Sequence, residues 1–245
     1  MKKSFISILC IFFLFVLTAC EEKKETSQKV NETNKQQVNN DKKETDISEK
    51  NKEKEIDDKV AKLSNWETVD GIGKMRQIGF GYNDELGIDG TDNPVKPYNF
   101  DDKVKLQIEN LTLVQIKLDD KGAALFNSYQ DQKVIMVKYK LINDSKDQLD
   151  FESENMKITL PNDEKINPER NLSDYYGIDK PIKAGETIEG VASFVLNDDN
   201  DVNKALLFVH GPMNMDVNKK NYSSHTFNFD ILSVRDSVIK DIENK

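Results

Sequence analysis

Two histidines, His210 and His225, are the residues of this chain best suited to acid–base or metal chemistry. Neither is followed by a second ligand at i+2 or i+4, so a histidine-based metal centre would need carboxylates from distant loops. Ser224 directly precedes His225. Adjacent residues of a strand point to opposite faces, so these two cannot act as nucleophile and base. The histidine spacing therefore predicts polar strand-end residues and no catalytic site.

An acidic segment after a predicted strand offers oxygen ligands for calcium. Asp199-Asn200-Asp201 matches the first half of an EF-hand loop, but Lys204 stands where that loop needs glycine and His210 where it needs a bidentate glutamate. A looser calcium site built from Asp198, Asp199 and Asp201 stays open. The alternative is a solvated turn, which is the usual state of acidic loops in an acidic chain.

Other carboxylates give no specific signal. Asp89 and Asp92, near Gly87 and Gly90, offer a second loose calcium arrangement. The chain has 44 Asp and Glu, so any two could be placed at the spacing of a glycosidase pair, and their abundance removes the specificity of that argument. No enzyme activity is predicted, and no cofactor.

The loop 167–181 contains two adjacent tyrosines, Tyr175 and Tyr176. Exposed tyrosines in polar loops between strands are typical of recognition surfaces. One of them could instead pack as core at the end of the fold. The sequence thus offers Tyr175 and Tyr176 as candidate binding residues.

The N-terminal residues carry the most specific signal. Lys2 and Lys3 precede an apolar run over 5–17, shorter than the about 20 residues that span a bilayer, which predicts a signal peptide over 1–19. Leu17-Thr18-Ala19-Cys20 resembles the lipobox of bacterial lipoproteins, and this implies cleavage before Cys20 and its lipidation. The alternative is an ordinary signal peptide that happens to be followed by cysteine.

Cysteine usage supports a lipid anchor. Cys10 lies within the predicted signal peptide, so Cys20 would be the one cysteine of the mature chain. An exported protein without a second cysteine has no internal disulfide, and thiol catalysis or cysteine-based metal sites in the folded part are excluded. The predicted location is the cell membrane, lipid-anchored on its extracytoplasmic face.

Residues 20–60 are predicted to be a charged tether that is disordered or transiently helical; the alternative is an arm that binds a partner. From residue 21 onward they contain 12 Asp and Glu, 10 Lys and five apolar residues, with no aromatic residue, Gly or Pro. Such a segment cannot bury enough apolar surface to offset its ordering entropy. Ile56, Val60 and Leu63 fall at helical spacing, which indicates a short helix leading into Trp66.

The remaining chain alternates apolar and polar residues with a period of two, which predicts strands. Strands are expected near Ile78–Tyr82, Val104–Leu118 with a bend at Asn110, Val134–Ile142, Met156–Leu160, Thr187–Leu196, Lys204–His210 and Ser224–Ile231. Turn residues separate them and no crossover helix intervenes, which favours an antiparallel β-sandwich. Residues 61–103 are expected to pack on it as an extension. Ser233-Val234-Arg235-Asp236 resembles a capping box, so residues 232–245 are expected to form a short helix or a tail.

A family resemblance rests on three strand segments: KVIMVKYKLIND, KITLPNDEKI and IKAGETIEGVASFVL. They resemble the immunoglobulin-like (telokin-like) domain of uncharacterised lipoproteins of Gram-positive bacteria. The resemblance covers residues 104–231 and implies an all-β, immunoglobulin-like antiparallel sandwich outside the cytoplasm. It carries no catalytic motif.

The sequence therefore predicts a membrane-anchored lipoprotein that presents a binding or interaction domain. Its expected partners are the membrane, through the lipid, and an envelope or extracellular protein. Nucleic acid is not expected, because the net charge of -9 comes without a basic block. The alternatives are a cell-envelope enzyme and a calcium- or solute-binding lipoprotein.

Overall fold

The computed structural model of the chain describes residues 41–89, 94–126, 128, 130–170, 172–173, 181–197 and 202–243. The chain divides into two units, Met1–Glu55 and Ile56–Lys245. In the first unit the described residues, 41–55, are helical.

Helix α1 spans Asp41–Leu63. Residues 41–60, which were expected to belong to the disordered tether, are thus helical, and the short helix expected before Trp66 is the end of a longer one. Lys and Glu have good helix propensity, and neither Gly nor Pro interrupts the segment. Ile56 is only 4% exposed and packs with Val234 and Val238. This tertiary contact stabilises the end of a helix that has few apolar residues of its own.

Helices α2 and α3 span Asp120–Phe126 and Val234–Glu243. Ser233 precedes α3, and its hydroxyl accepts a hydrogen bond from the Asp236 backbone N–H at 3.1 Å while donating to the Asp236 carboxylate at 2.6 Å. The Ser233 hydroxyl therefore caps the first turn of the helix. None of the helices in the described part of the chain has both the length and the apolar content needed to span a membrane.

Twelve strands and a short 3-10 helix, Ser153–Asn155, make up the rest of the described elements. The strands are β1 (Glu67–Val69), β2 (Gly73–Tyr82), β3 (Tyr98–Asn99), β4 (Val104–Leu118), β5 (Gln132–Asn143), β6 (Leu149–Asp150), β7 (Met156–Thr159), β8 (Lys165–Ile166), β9 (Glu186–Leu196), β10 (Lys204–Val209), β11 (Met213–Asn214) and β12 (His225–Ser233).

Ten strands form one antiparallel sheet. Eight of them follow one another in the order β8-β7-β10-β12-β2-β4-β5-β9, and the other two, β1 and β3, pair with β2 and β4 respectively. β6 and β11 form a separate pair. The sheet curls into a half-barrel. The predicted mostly-β, antiparallel fold is confirmed. The immunoglobulin-like sandwich is not confirmed, because the main strands follow one another in a single curled sheet.

The region 61–103 is not an extension packed on the sheet, because its strand β2 lies in the middle, between β12 and β4. Two glycines permit this position. A Cβ on Gly79 would lie 2.8 Å from the Leu232 carbonyl oxygen, and one on Gly81 would lie 2.8 Å from the Leu111 side chain. Only residues without a side chain let the neighbouring strands approach this closely.

The core lies inside the curl of the sheet. Alternate residues of the strands point into it, among them Ile108 and Leu111 of β4, on either side of a register shift. This shift lies at the bend expected near Asn110 and is a β-bulge, which keeps the apolar residues on the core side. A smaller cluster joins Ile56 to Val234 and Val238, with Phe80 of β2 packed against it.

Candidate functional site

A groove of about 600 Å³ lies over the solvent face of β12, between the end of β2 and helix α3. β12 alternates buried Phe227, Phe229 and Ile231 with exposed residues, because one face of the strand forms the core. The opposite face is thus free to form the floor of the groove. The lining groups are mainly polar: the carboxylates of Asp84, Glu85 and Asp230, the ammonium groups of Lys204 and Lys240, the amides of Asn83, Asn203 and Asn228, and the hydroxyl of Thr226.

Asn83 fixes the loop that carries Asp84 and Glu85. Its side chain is 5% exposed, and Nδ2 donates to the Asn228 carbonyl at 2.8 Å. Its Oδ1 accepts from the Leu86 backbone N–H at 2.8 Å. Because this buried amide is bonded on both sides, the acidic side of the groove is held rigidly against β12.

Lys240 of α3 covers Tyr82 at the other end of the groove. The Lys240 Nζ lies 3.9 Å from the centroid of the Tyr82 ring, which is a cation–π contact. Burial raises the pKa of the Tyr82 hydroxyl, the nearby Ser237 hydroxyl acts in the opposite direction, and the charges of Asp241 and Asp89 add to the rise. Tyr82 therefore stays neutral at physiological pH.

The charges in the groove nearly balance. Lys204 and Asp230 lie opposite each other on β10 and β12, with Nζ and Oδ1 3.5 Å apart. Both side chains are exposed, so water screens this pair and leaves both groups accessible. Amides, a hydroxyl, carboxylates and ammonium groups together offer both donors and acceptors. This arrangement can hydrogen-bond a polar ligand.

His225 lies at the edge of the groove and belongs to an aromatic cluster. Its ring stacks on Tyr98 with centroids 4.2 Å apart and meets Phe227 at 4.6 Å. Its Nε2 lies 3.2 Å from the Glu85 Oε1, close enough for an ion pair, although the N–H is not aligned for a hydrogen bond. The ring thus packs as part of the fold.

Ser224 meets His210, a contact that the sequence does not indicate. The Ser224 Oγ lies 3.1 Å from the His210 Nδ1. The two residues flank the paired positions Val209 and His225, so the pairing of β10 with β12 brings them together. Both are exposed, and no carboxylate among the described residues lies within ion-pair distance of His210. A serine and a histidine without a group that orients the ring do not form a catalytic triad.

The lipidation, tyrosine-loop and calcium candidates Cys20, Tyr175, Tyr176, Asp198, Asp199, Asp201 and Asp92 lie outside the described residues, whereas Asp89 is described. The start of the tyrosine loop is described. The Ser173 hydroxyl accepts from the Ser193 N–H at 3.0 Å, and the Glu169 N–H donates to the Ser193 carbonyl at 2.6 Å. These bonds hold the loop entrance along the free edge of β9. In the described part of the chain, no group of three His, Cys, Asp or Glu residues could hold a metal ion.

Sequence reasoning missed the groove. The signal available was the run Thr226, Asn228 and Asp230, three polar residues on one face of a predicted strand. Such a face is usually only solvated, and its enclosure by Asn83 to Glu85 and by Lys240 comes from distant parts of the chain.

Comparisons with known proteins identify no family. No protein-family model matches the chain, and no curated protein matches it. Among solved structures, a Listeria monocytogenes protein of unknown function is 13% identical with a TM-score of 0.42, over 55% of this chain and 80% of that one. A candidate lipoprotein, YcdA, from Bacillus subtilis is 23% identical with a TM-score of 0.36, over 53% of this chain and 37% of that one. Similarities at this level assign no function.

Proposed function

We propose that this chain is an exported, lipid-anchored binding protein whose groove holds a polar, hydroxyl-rich ligand without transforming it. The observation that carries the ligand proposal is the lining of the groove. Three carboxylates and two ammonium groups nearly cancel, and three amides and a hydroxyl lie among them. A neutral ligand with many hydroxyl groups, such as a carbohydrate, matches this mixture of donors and acceptors.

The volume of the groove also suits such a ligand. Small-molecule sites commonly enclose about 300 to 1,000 Å³, and this groove, at about 600 Å³, lies within that range. About half of the exposed lining is apolar, contributed by Ile231, Leu232, the ring of Tyr82 and the carbon stems of the polar side chains. A largely apolar ligand would leave the polar groups of the lining unpaired, at a cost in free energy.

Binding without catalysis is proposed because the groove lacks an acid–base pair of recognisable geometry. The Lys204–Asp230 pair is exposed, and the Glu85 carboxylate faces a histidine that packs among aromatic rings. Neither arrangement places a nucleophile beside a base.

Titration of the full chain with neutral mono- and disaccharides, followed by NMR, tests the ligand class. Shifts are expected at Thr226, Asn203 and Asn228. Asn228→Ala should weaken binding by about tenfold, because one hydrogen bond to a ligand is typically worth about 1 kcal/mol or slightly more. Asn99→Ala, an exposed amide on β3 outside the groove, is the matched control. The proposal fails if no sugar shifts these resonances, or if Asn99→Ala has the same effect.

The anchor is proposed from the Lys2-Lys3 start, the short apolar run and Cys20. Mass spectrometry of the mature N-terminus should find a diacylglyceryl group on Cys20. Cys20→Ala should abolish both acylation and lipoprotein-type cleavage. Recovery of an unmodified Cys20, or of residues 1–19 in the mature protein, would overturn the proposed extracytoplasmic, membrane-anchored location.

A second candidate function, contact with an envelope or extracellular protein, is supported by three exposed apolar side chains on β11 and the loop that follows it. Met213, Met215 and Val217 are 45%, 51% and 93% exposed. The Met215 N–H donates to the Gln148 carbonyl at 3.0 Å, and Asn214 Nδ2 donates to Asp147 at 3.0 Å, so the loop is held in place. A photo-crosslinker at position 217 should capture a defined protein that one at Thr187 does not. Equal yields at the two positions would exclude this loop as the contact.

A further inference from the structure

Trp66, which just precedes strand β1, contacts two cations. The Arg76 guanidinium carbon is 4.7 Å from the centroid of the Trp66 ring, and the Lys117 Nζ is 4.6 Å from it. Both distances are within the range of cation–π attraction. None of these residues lines the groove described above.

The strand register adds a third cation to this surface. Lys74 of β2 lies directly opposite Lys117 of β4, and Arg76 lies opposite Gln115. Opposite residues of antiparallel strands share a face, and like charges in that arrangement repel each other. Lys74 and Lys117 are both exposed, so their side chains stand side by side in solvent.

No ion pair offsets this repulsion among the residues that the structure describes. Lys74, Arg76 and Lys117 form no ion pair there, in a chain with 44 acidic and 35 basic residues. Glu67 is next to Trp66 in the sequence but lies opposite Met75, which places it on the other face of the sheet. Arg76 donates instead to the neutral Gln115 Oε1, from Nε at 3.0 Å and from Nη2 at 2.7 Å.

This neutral partner orients the guanidinium without neutralising it. Gln115 itself is held from the other side, since its Nε2 lies 3.5 Å from the Asp131 Oδ2. Two positive charges, those of Arg76 and Lys117, thus lie against the Trp66 ring, and the charge of Lys74 lies beside that of Lys117. An external anion would relieve the repulsion between the lysines.

We propose that Trp66, Lys74, Arg76 and Lys117 form a binding surface for a soluble chain of inorganic phosphate groups. Adjacent lysines on neighbouring strands, about 5 Å apart, suit an anion with closely repeated charges better than a single carboxylate. Arginine adds directional donors that match phosphate oxygens. This inference is independent of the groove and of its ligand.

Trp66 is the only tryptophan of the chain, so its fluorescence reports directly on this surface. Inorganic polyphosphate should change the emission of the full-length chain at low salt, and binding should weaken steeply as salt rises. Lys74→Gln with Lys117→Gln should weaken binding by about tenfold or more and reduce the log–log salt slope by about two. The variant should melt at the same or a higher temperature, because it removes a like-charge pair.

The matched control is Lys157→Gln with Lys165→Gln, two exposed strand lysines whose loss changes the net charge equally. Compared at physiological salt, where the Debye length is about 8 Å, this control should leave binding within about twofold, because β7 lies three strands away from β2. A second variant, Lys117→Arg, keeps the positive charge and should retain binding. It tests the role of the charge even if the double variant Lys74→Gln with Lys117→Gln does not fold.

Four results would overturn the proposal. In the first, polyphosphate leaves the Trp66 emission unchanged at low salt. In the second, the Lys157 and Lys165 control variant weakens binding as much as the Lys74 and Lys117 variant does. In the third, vesicles that contain phosphatidylglycerol bind while polyphosphate does not, and the source of the phosphate is then a membrane surface rather than a soluble polymer. Equal binding of the carboxylate polymer hyaluronate would contradict the choice of phosphate.

Discussion

Gly190 of β9 lies directly opposite Tyr139 of β5, and the tyrosine ring extends over the glycine. A Cβ at position 190 would stand 2.6 Å from both the Cζ and the hydroxyl oxygen of Tyr139. Tyr139 is fully buried and meets Phe151 edge to face, with centroids 5.8 Å apart. The glycine therefore provides the space in which the largest side chain of this part of the core packs.

Gly190→Ala should lower the free energy of unfolding by about 2 to 3 kcal/mol, because overpacking a well-filled core displaces side chains from their preferred rotamers. Chemical denaturation measures this loss. Thr187→Ala, an exposed position on the same strand, should change stability by less than about 0.5 kcal/mol. A Gly190→Ala protein as stable as wild type would show that the ring has another place to pack.

Glu109 is the centre of an ion-pair network on the outer face of β4 and β5. Its carboxylate oxygens lie 2.7 Å from the Lys138 Nζ and 2.8 Å from the Lys140 Nζ. Glu109→Gln should cost about 2 kcal/mol at neutral pH, since hydrogen bonds to charged groups contribute more than neutral ones. Lys140 keeps its contact with Glu189 at 2.9 Å. Thermal melts of both proteins at neutral pH measure the difference.

The pH dependence of that difference follows from the pKa of Glu109. Partial burial favours the neutral acid, but hydrogen bonds and charges from Lys138 and Lys140 outweigh it and lower the pKa of Glu109 below its ordinary 4.5. The folded-state pKa is below the unfolded one, so the stabilisation is complete above pH 4.5 and is lost as the pH falls through the folded value. Melting temperatures of wild type and Glu109→Gln should therefore converge in acid. A gap that persists at low pH would exclude an ionic origin.

The Tyr222 hydroxyl should lose its proton at a higher pH in the folded protein than in the unfolded chain. Burial, the charge of Asp101 and a hydrogen bond to it raise the pKa of Tyr222 to about 12. Its ordinary value is 10, so the unfolded chain releases this proton first, and stability falls between about pH 10 and 12. Tyr222→Phe should flatten this part of the stability curve. Phenolate absorbance, compared between the two proteins, should show one fewer late-titrating tyrosine in the variant; a Tyr222 that ionises near pH 10 would contradict the burial.

The end of α1 should belong to the stable domain. Ile56→Ala should destabilise the domain by about 2 to 4 kcal/mol, the range for large-to-small changes in cores, because Ile56 packs with Val234 and Val238 and is 4% exposed. Lys62→Ala, an exposed position of the same helix, is the control. Limited proteolysis should leave a fragment that begins before Ile56. A stable fragment beginning at Trp66 would show that the helix contributes no stability.

The local structure of this protein can be predicted from short stretches of sequence. Alternation in Val134–Ile142 and Thr187–Leu196 places one side of each strand in the core, and the register of β5 with β9 follows that pattern. The change of phase at Asn110 indicates the bulge in β4, and the Ser233-to-Asp236 motif indicates the start of α3. These features depend on residues a few positions apart, whose preferences act before any distant contact forms.

The relative positions of these elements depend on contacts between distant residues, so the tertiary structure alone decided them. β2 entered the middle of the sheet because Gly79 and Gly81 leave room for Leu232 and Leu111. The charged segment 41–60 is part of a helix that ends at Leu63. The end of this helix is stabilised because Ile56 packs against apolar residues of α3. The groove, the Ser224–His210 contact and the cations around Trp66 all join side chains from separate strands. The sequence determines which face of a strand is polar; which polar faces meet depends on strand order, and strand order is set by the burial of the whole core.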